Sequence, residues 1–249
     1  MRSDYRISLW NYTHYSNTGS LEQAVKECCD AGYGVELWDY WKDDRDLFGP
    51  VHRERLRVLL KPVQVSFHSG GVKDLEGHMK QIETASACGC DVIVVHAGNM
   101  RVGSEQDFVF AREVVALAKQ HGITLALENG PLWMIERALE KVEGLSFCLD
   151  TGHTYHEEMR PGSGPGSMRP YLDAFKTRLV HLHLQDWIAE GDHYTVGTGI
   201  TPREDWEYLL QTLQEVKFSG AWVFEVRPRG PLLTAANSLS FLEGLNRVS

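Results

Sequence analysis

No run of apolar residues in this sequence approaches the roughly 20 needed to cross a bilayer, and the opening stretch MRSDYRISLW carries no signal-peptide apolar region. A cytoplasmic protein without a membrane partner is expected. Cysteine is scarce: Cys28, Cys29, Cys88, Cys90 and Cys148 are odd in number and include no CxxC pair, so neither a disulfide framework nor a zinc ribbon is indicated. They read as reduced, mostly buried thiols. Positive charge is in deficit, with 25 Lys and Arg against 34 Asp and Glu and a net charge of −9. Nonspecific nucleic-acid affinity comes from neutralising phosphates with Lys and Arg, so a nucleic-acid partner is not expected. Neither GxGxxG nor GxxxxGK[ST] follows the first expected strand, and nucleotide-binding folds lose their support.

What the chain does contain is a core. Its 249 residues are 43% apolar, enough for one α/β barrel, and no composition break divides them. The richest Gly/Pro/Ser stretch, PGSGPGSMRP at residues 161–170, reads as a loop inside a single domain spanning 1–249. Six short apolar runs each end on His, Asp or Glu, at intervals of 22 to 42 residues: VQVSFH at His68, VIVVH at His96, ITLALE at Glu128, LSFCLD at Asp150, LVHLH at His183 and AWVFE at Glu225. Buried strands that each stop on a metal-capable side chain, once per strand-plus-helix length, are how a ring of parallel strands builds one polar site at its mouth.

Apolar periodicity fills in the elements between. Strands are expected at residues 6–12 and 34–38 ahead of the six runs, and helices at 20–31, 51–61, 75–88, 105–120 and 231–245, with Gly122 stopping the fourth. A further helix is expected to start at Thr201-Pro202-Arg203-Glu204, with Thr as cap, Pro as first helical residue and Glu closing a capping box. Eight strands alternating with eight helices specify a single (β/α)8 TIM barrel of the α/β class, ahead of a six-stranded doubly wound sheet.

Glu128, Asp150, His183 and Glu225 then sit on four consecutive strand ends and converge on one ion. Three carboxylates and one imidazole form a mostly hard-oxygen set suited to Mn²⁺ first, with Co²⁺, Mg²⁺ or Zn²⁺ as alternatives. Each residue alone could equally be an ordinary salt-bridge partner. Four together are harder to dismiss, because unpaired carboxylates crowded in one mouth repel unless a cation joins them. Trp10, Trp38, Trp41, Trp133 and Trp187 fall at or just after strand ends on the same face, where indoles serve either as platforms for the C–H faces of a sugar or as rim packing.

The segments GVELW (34–38), ALEN (126–129), LDTGH (149–153), VHLHLQD (180–186), VGTG (196–199) and FEV (224–226) resemble, in order and spacing, the xylose isomerase-like barrel superfamily. That superfamily holds sugar epimerases and isomerases, inosose dehydratases and the endonuclease IV group. The resemblance maps metal ligands onto Glu128, Asp150, His183 and Glu225. It implies a sugar or cyclitol isomerase or epimerase in which Glu128 and Glu225 act as base and acid, with an inosose or keto-sugar dehydratase as a variant on the same scaffold. His183, His153 or Glu36 is available for additional proton transfer. A homodimer is the default assembly.

His68, His96, His153 and His193 match positions where the endonuclease IV group adds ligands for three zinc ions, so an abasic-site nuclease is the alternative. That group carries Asp-x-His before its Gly-rich turn, whereas this chain has Gly191-Asp192-His193, the aspartate one position displaced. The four histidines are therefore read as substrate-binding residues, together with Glu36, Trp10, Trp38, Trp187 and Arg227, which is placed to pair with a substrate phosphate or carboxylate.

Overall fold

In the computed structural model, which describes residues 5–10, 21–38, 50–155, 166–226 and 230–246, strands and helices alternate along the chain. The order is β1 (Tyr5–Ser8), α1 (Leu21–Asp30), β2 (Gly34–Trp38), α2 (Pro50–Leu60), β3 (Val65–Ser69), α3 (Leu75–Ala87), β4 (Val92–Val95), α4 (Glu105–Gln120), β5 (Thr124–Glu128), α5 (Leu132–Lys141) and β6 (Ser146–Asp150). A single 3₁₀ turn (His153–Tyr155) follows, then α6 (Arg169–Phe175), β7 (Leu179–Leu184), β8 (Asp186–Ile188), β9 (Gly191–Tyr194), α7 (Arg203–Glu215), β10 (Ala221–Phe224) and α8 (Pro231–Asn246).

Eight strands pair in parallel and close in the order β1-β10-β7-β6-β5-β4-β3-β2, which is the expected (β/α)8 barrel; β8 and β9 form a separate antiparallel hairpin. The helices bury one face against the outside of the sheet, where Phe67, Phe108, Phe147, Phe224 and Trp206 are completely enclosed. Among the described residues no helix is long and apolar enough to cross a membrane. All five cysteines are free, and only Cys29 is less than fully buried.

Local chemistry explains most element ends. The Asp74 side chain accepts from Gly77 N–H at 2.7 Å to start α3, and Ser104 accepts from Asp107 N–H to start α4. Gly122, at φ +71°, supplies the left-handed residue that stops α4. The capping box expected at Thr201 does not form. Helix α7 begins at Arg203 after Pro202, with no side-chain cap, because the Thr201 N–H is held by Asp186 Oδ1 at 3.2 Å, outside the helix. Strand β1 ends at Ser8, earlier than the periodicity suggested; Tyr12 lies outside the described residues.

Candidate metal and active centre

Period-two alternation aims the strand-end residues into the barrel. Glu128 shares a face with Ala126, Asp150 with Cys148, and His183 with His181, one layer deeper. Val92, Val94, Ala126 and Cys148 form a small apolar cluster of their own inside the barrel, separate from the main core. The polar centre rests on this floor.

Glu128 stands at the middle of the centre and uses both carboxylate oxygens. Its Oε2 lies 3.2 Å from His68 Nε2 and 2.7 Å from His96 Nε2. Its Oε1 lies 3.0 Å from His153 Nδ1 and 3.6 Å from His183 Nδ1. His183 Nδ1 is also 3.0 Å from Glu225 Oε2 and 3.9 Å from Asp150 Oδ2. The four residues selected by strand-end position therefore do meet around one imidazole nitrogen. That nitrogen is fully enclosed yet makes no hydrogen bond of good geometry, as expected of a donor atom facing a cation position.

The tightest set of donor atoms differs by one residue from the expected one. His68, Glu128, His183 and Glu225 place donors within 4.8 Å of one another, while Asp150 groups with His153 and His193. Asp150 is drawn that way by its partners: Gln185 Nε2 donates to Oδ2 at 2.7 Å, and His153 N–H donates to Oδ1 at 2.8 Å. Asn129 Oδ1 accepts the Asp150 N–H at 2.5 Å and fixes the strand end.

The β8–β9 hairpin delivers Asp192 and His193. Asp192 Oδ2 is 3.6 Å from His153 Nε2, and Oδ1 is 2.9 Å from His193 Nδ1, so the displaced aspartate still faces both histidines. His193 sits at φ +64°, a costly conformation for a residue with a Cβ, and its N–H donates to Gln185 Oε1 at 2.5 Å. Trp38 packs on His68 with ring centroids 4.0 Å apart, and Trp10 on His193 at 4.3 Å. Trp187 is half-buried in β8, and Trp133 is 58% exposed in the first turn of α5. Glu36, on β2, has no exposure and contacts His181 and His183 beneath the centre. Arg227 and Trp41 lie outside the described residues.

Burial opposes charge throughout, and the charged neighbours decide which groups keep it. Glu128 is held well below the usual carboxylate range despite burial, by His96 first and then His153, His183 and His68. Glu225 is likewise lowered, by His183. Asp150 moves the other way: burial, reinforced by Glu128 and Glu225, raises it in spite of His153. Burial works against the charge of His153, yet Asp150, Asp192 and Glu128 lift it well above the ordinary imidazole value. Glu128 does the same for His96. His183 is raised against burial; Cys148 adjoins it, but that thiol is pushed up to about 12 and stays neutral, so we assign the effect to Glu36 and Glu225. Protons on the histidines thus balance the carboxylates of the metal-free centre.

Sequence reasoning passed over His181, Gln185, Asn129 and Asp186. His181 was legible in principle, since i and i+2 in VHLHL share a face. Gln185 and Asp186 lie just beyond that strand, where alternation gives no guidance. Asp186 accepts the backbone N–H groups of Trp187, Thr201, Gly197 and Gly199 at 2.8, 3.2, 3.0 and 2.9 Å, and so shapes the VGTG loop.

A family model described as xylose isomerase-like TIM barrel matches residues 69–245. The chain belongs to that family. Among solved structures it is similar to a D-tagatose 3-epimerase-like protein, at TM-score 0.74 and 16% identity over 99% of this chain and 100% of the other. D-psicose 3-epimerase from Clostridium cellulolyticum, solved with D-tagatose, gives TM-score 0.70 and 14% identity over 97% and 99%. The TTHB071 protein from Thermus thermophilus, soaked with ZnCl2, gives TM-score 0.71 and 22% identity over 99% of each chain. No curated protein sequence matches the chain significantly.

Proposed function

We propose that this family member is a divalent-metal-dependent sugar or cyclitol epimerase or isomerase. One observation carries the reading: Glu128 and Glu225, buried and both held ionised, present carboxylate oxygens within 4.8 Å of one another and of His183. The donor set fits a divalent ion, with Glu128, Asp150, His183 and Glu225 as its holders and Mn²⁺ as first choice. Such an ion supplies Lewis acidity toward a carbonyl and its neighbouring hydroxyl, which acidifies the C–H between them. Glu128 and Glu225 then serve as the base and acid pair, one carboxylate taking that proton and the other, once protonated from solvent, returning one. Trp10 and Trp38, stacked on the histidine walls, offer apolar faces to the sugar ring. The sugar-processing names of the two epimerase-type neighbours support this substrate class.

The test is a ketose and cyclitol panel in deuterium oxide with metal-loaded protein. Deuterium enters the substrate carbon with wild type, and Glu128→Gln and Glu225→Gln each lower exchange by about 10²-fold or more while remaining folded. Near-normal exchange in either variant rules out the two-carboxylate scheme. Loss of water from the substrate instead of exchange points to the dehydratase variant.

A second reading has its own observation. Glu128 Oε2 faces His68 and His96, and Asp192 faces His153 and His193, which gives donors for more than one ion, as in a zinc-dependent abasic-site nuclease. The zinc-soaked neighbour is compatible with it. The −9 net charge opposes a DNA substrate. Elemental analysis separates the two: one ion per chain supports the sugar enzyme, and three zincs with cleavage of abasic DNA support the nuclease.

A further inference from the structure

Beneath the centre lies a group of side chains that the proposed chemistry leaves without a role, among them Glu36, expected from sequence to meet substrate but fully enclosed. Glu36, His181 and Ser66 are fully enclosed, one layer deeper in the barrel than His183. Glu36 is flanked in register by serines on both neighbouring strands, Ser8 on β1 and Ser66 on β3, whose small side chains leave it room to extend across the barrel to β7. There its two oxygens have different partners. Oε2 accepts from Ser66 Oγ at 2.9 Å and contacts His181 Nε2 at 2.7 Å. Oε1 lies 3.0 Å from His183 Nε2, oblique to the ring N–H. Two donors on Oε2 hold the carboxylate and leave Oε1 to His183.

The consequence follows from imidazole chemistry. An imidazole that offers one nitrogen to a cation must carry its proton on the other, and the partner of that second nitrogen fixes both the tautomer and the ring's orientation. His183 Nδ1 faces Glu225, Glu128 and Asp150, and Nε2 faces Glu36. Glu36 Oε1 is the carboxylate oxygen that faces Nε2 in this fully enclosed layer. We infer that Glu36 and His181 form a buried positioning pair that keeps the His183 proton on Nε2 and aims Nδ1 at the metal position. Both act from beneath His183, and together they set how tightly the centre holds a divalent ion.

This rests on the metal-centre reading above, so the test separates the two. Zinc affinity is measured by competition with a chromophoric chelator for wild type, Glu36→Gln and His181→Gln, with the thermal midpoint of each metal-free protein as the folding control. Glu36→Gln is expected to weaken zinc by about 10- to 100-fold, and His181→Gln in the same direction by less. A change of less than twofold in folded Glu36→Gln overturns the positioning role and leaves the metal centre standing. Wild type that binds no zinc overturns both. Should Glu36→Gln not fold, nitrogen-15 histidine spectra of zinc-loaded wild type decide: a proton on Nε2 of His183 with zinc on Nδ1 supports the pair, and the reverse arrangement overturns it.

Discussion

Replacing Asp186 by Asn changes one oxygen for an NH2 group at a position that serves four backbone donors. Oδ1 accepts from Trp187 and Thr201, and Oδ2 from Gly197 and Gly199. Either orientation of the amide loses two of the four bonds and points N–H at N–H. The Gly197 end is exposed, so water can replace part of the loss there, and Asn should keep its oxygen on Trp187 and Thr201. A bond to a charged acceptor contributes about 1.5–3 kcal/mol, so two lost bonds with partial rehydration destabilise by about 2 kcal/mol. Asp186→Ala loses all four and should cost about 4 kcal/mol. The glycines prevent an easy rearrangement: Gly197 sits at φ +80° against the Phe241 ring, and a Cβ on Gly199 would collide with the Trp187 carbonyl and Asp186 Oδ1. Urea unfolding of the metal-free protein gives the two losses. A cost below about 0.5 kcal/mol for Asn, or an Ala variant no worse than Asn, would refute the four-donor account.

Two other outcomes are expected at sites far apart. At the opposite end of the barrel, Arg6 is 3% exposed, bonds Asp91 through both terminal nitrogens at 2.7 and 2.5 Å, and lines a cavity of about 320 Å3. Asp91 is itself 58% exposed, so water reaches the side that Asp91→Ala vacates, and the cost in urea unfolding should be about 1 kcal/mol; a loss of about 3 kcal/mol or more would show that the guanidinium stays desolvated. At the mouth, His96 and His153 have folded pKa values raised by their carboxylate neighbours in spite of burial. Their contribution to metal-free stability is therefore fully present below the unfolded histidine pKa and is lost as pH rises through the folded values. A metal ion at His183 repels those protons, so its affinity should rise as pH climbs above the ordinary histidine value, with net proton release read by calorimetry in buffers of different ionisation enthalpy. Binding without proton release would contradict the protonated centre.

The barrel was legible because each buried strand is a short apolar run with a polar residue at its end, and the helices between carry their own stop signals. Helix α5, with ten residues and Ile135, Ala138 and Leu139 on its buried face, was long enough to show a period and was passed over; the rest of what escaped was too short or too distant for a pattern to form. Helix α6 has seven residues, about two turns, which cannot display a 3.6-residue period. Strands β8 and β9 have three and four residues, and the connection between them lacks the Asn-Gly or Asp-Gly pair that marks a tight hairpin. Without that hairpin, the one-residue displacement of Asp192 from the Asp-x-His pattern reads as the loss of a partner. With it, the twist at Gly191 and His193 returns Asp192 to His153. The pairing of Glu36 with His181 spans 145 residues, and no local rule connects them.

The charge arrangement links the site's composition to the cation proposed for it. Glu128 is held ionised by His96, His153 and His183 and Glu225 by His183, whereas Asp150 beside them is pushed toward its neutral form by its own burial and by those two charges. The raised proton affinity of Asp150, beside an imidazole nitrogen with no well-directed partner, marks where negative charge is least compensated in the metal-free centre. Protons on His96 and His153 supply positive charge beside Glu128 and, through His153, beside Asp150 as well. An ion at His183 Nδ1 supplies it at the point where Asp150, Glu128 and Glu225 meet. The number of ions the centre takes is then decided on the other face of Glu128, by whether His68 and His96 keep Oε2 for themselves or share it with a second metal. Glu36 acts behind His183 in either case, so its influence on affinity does not depend on that count.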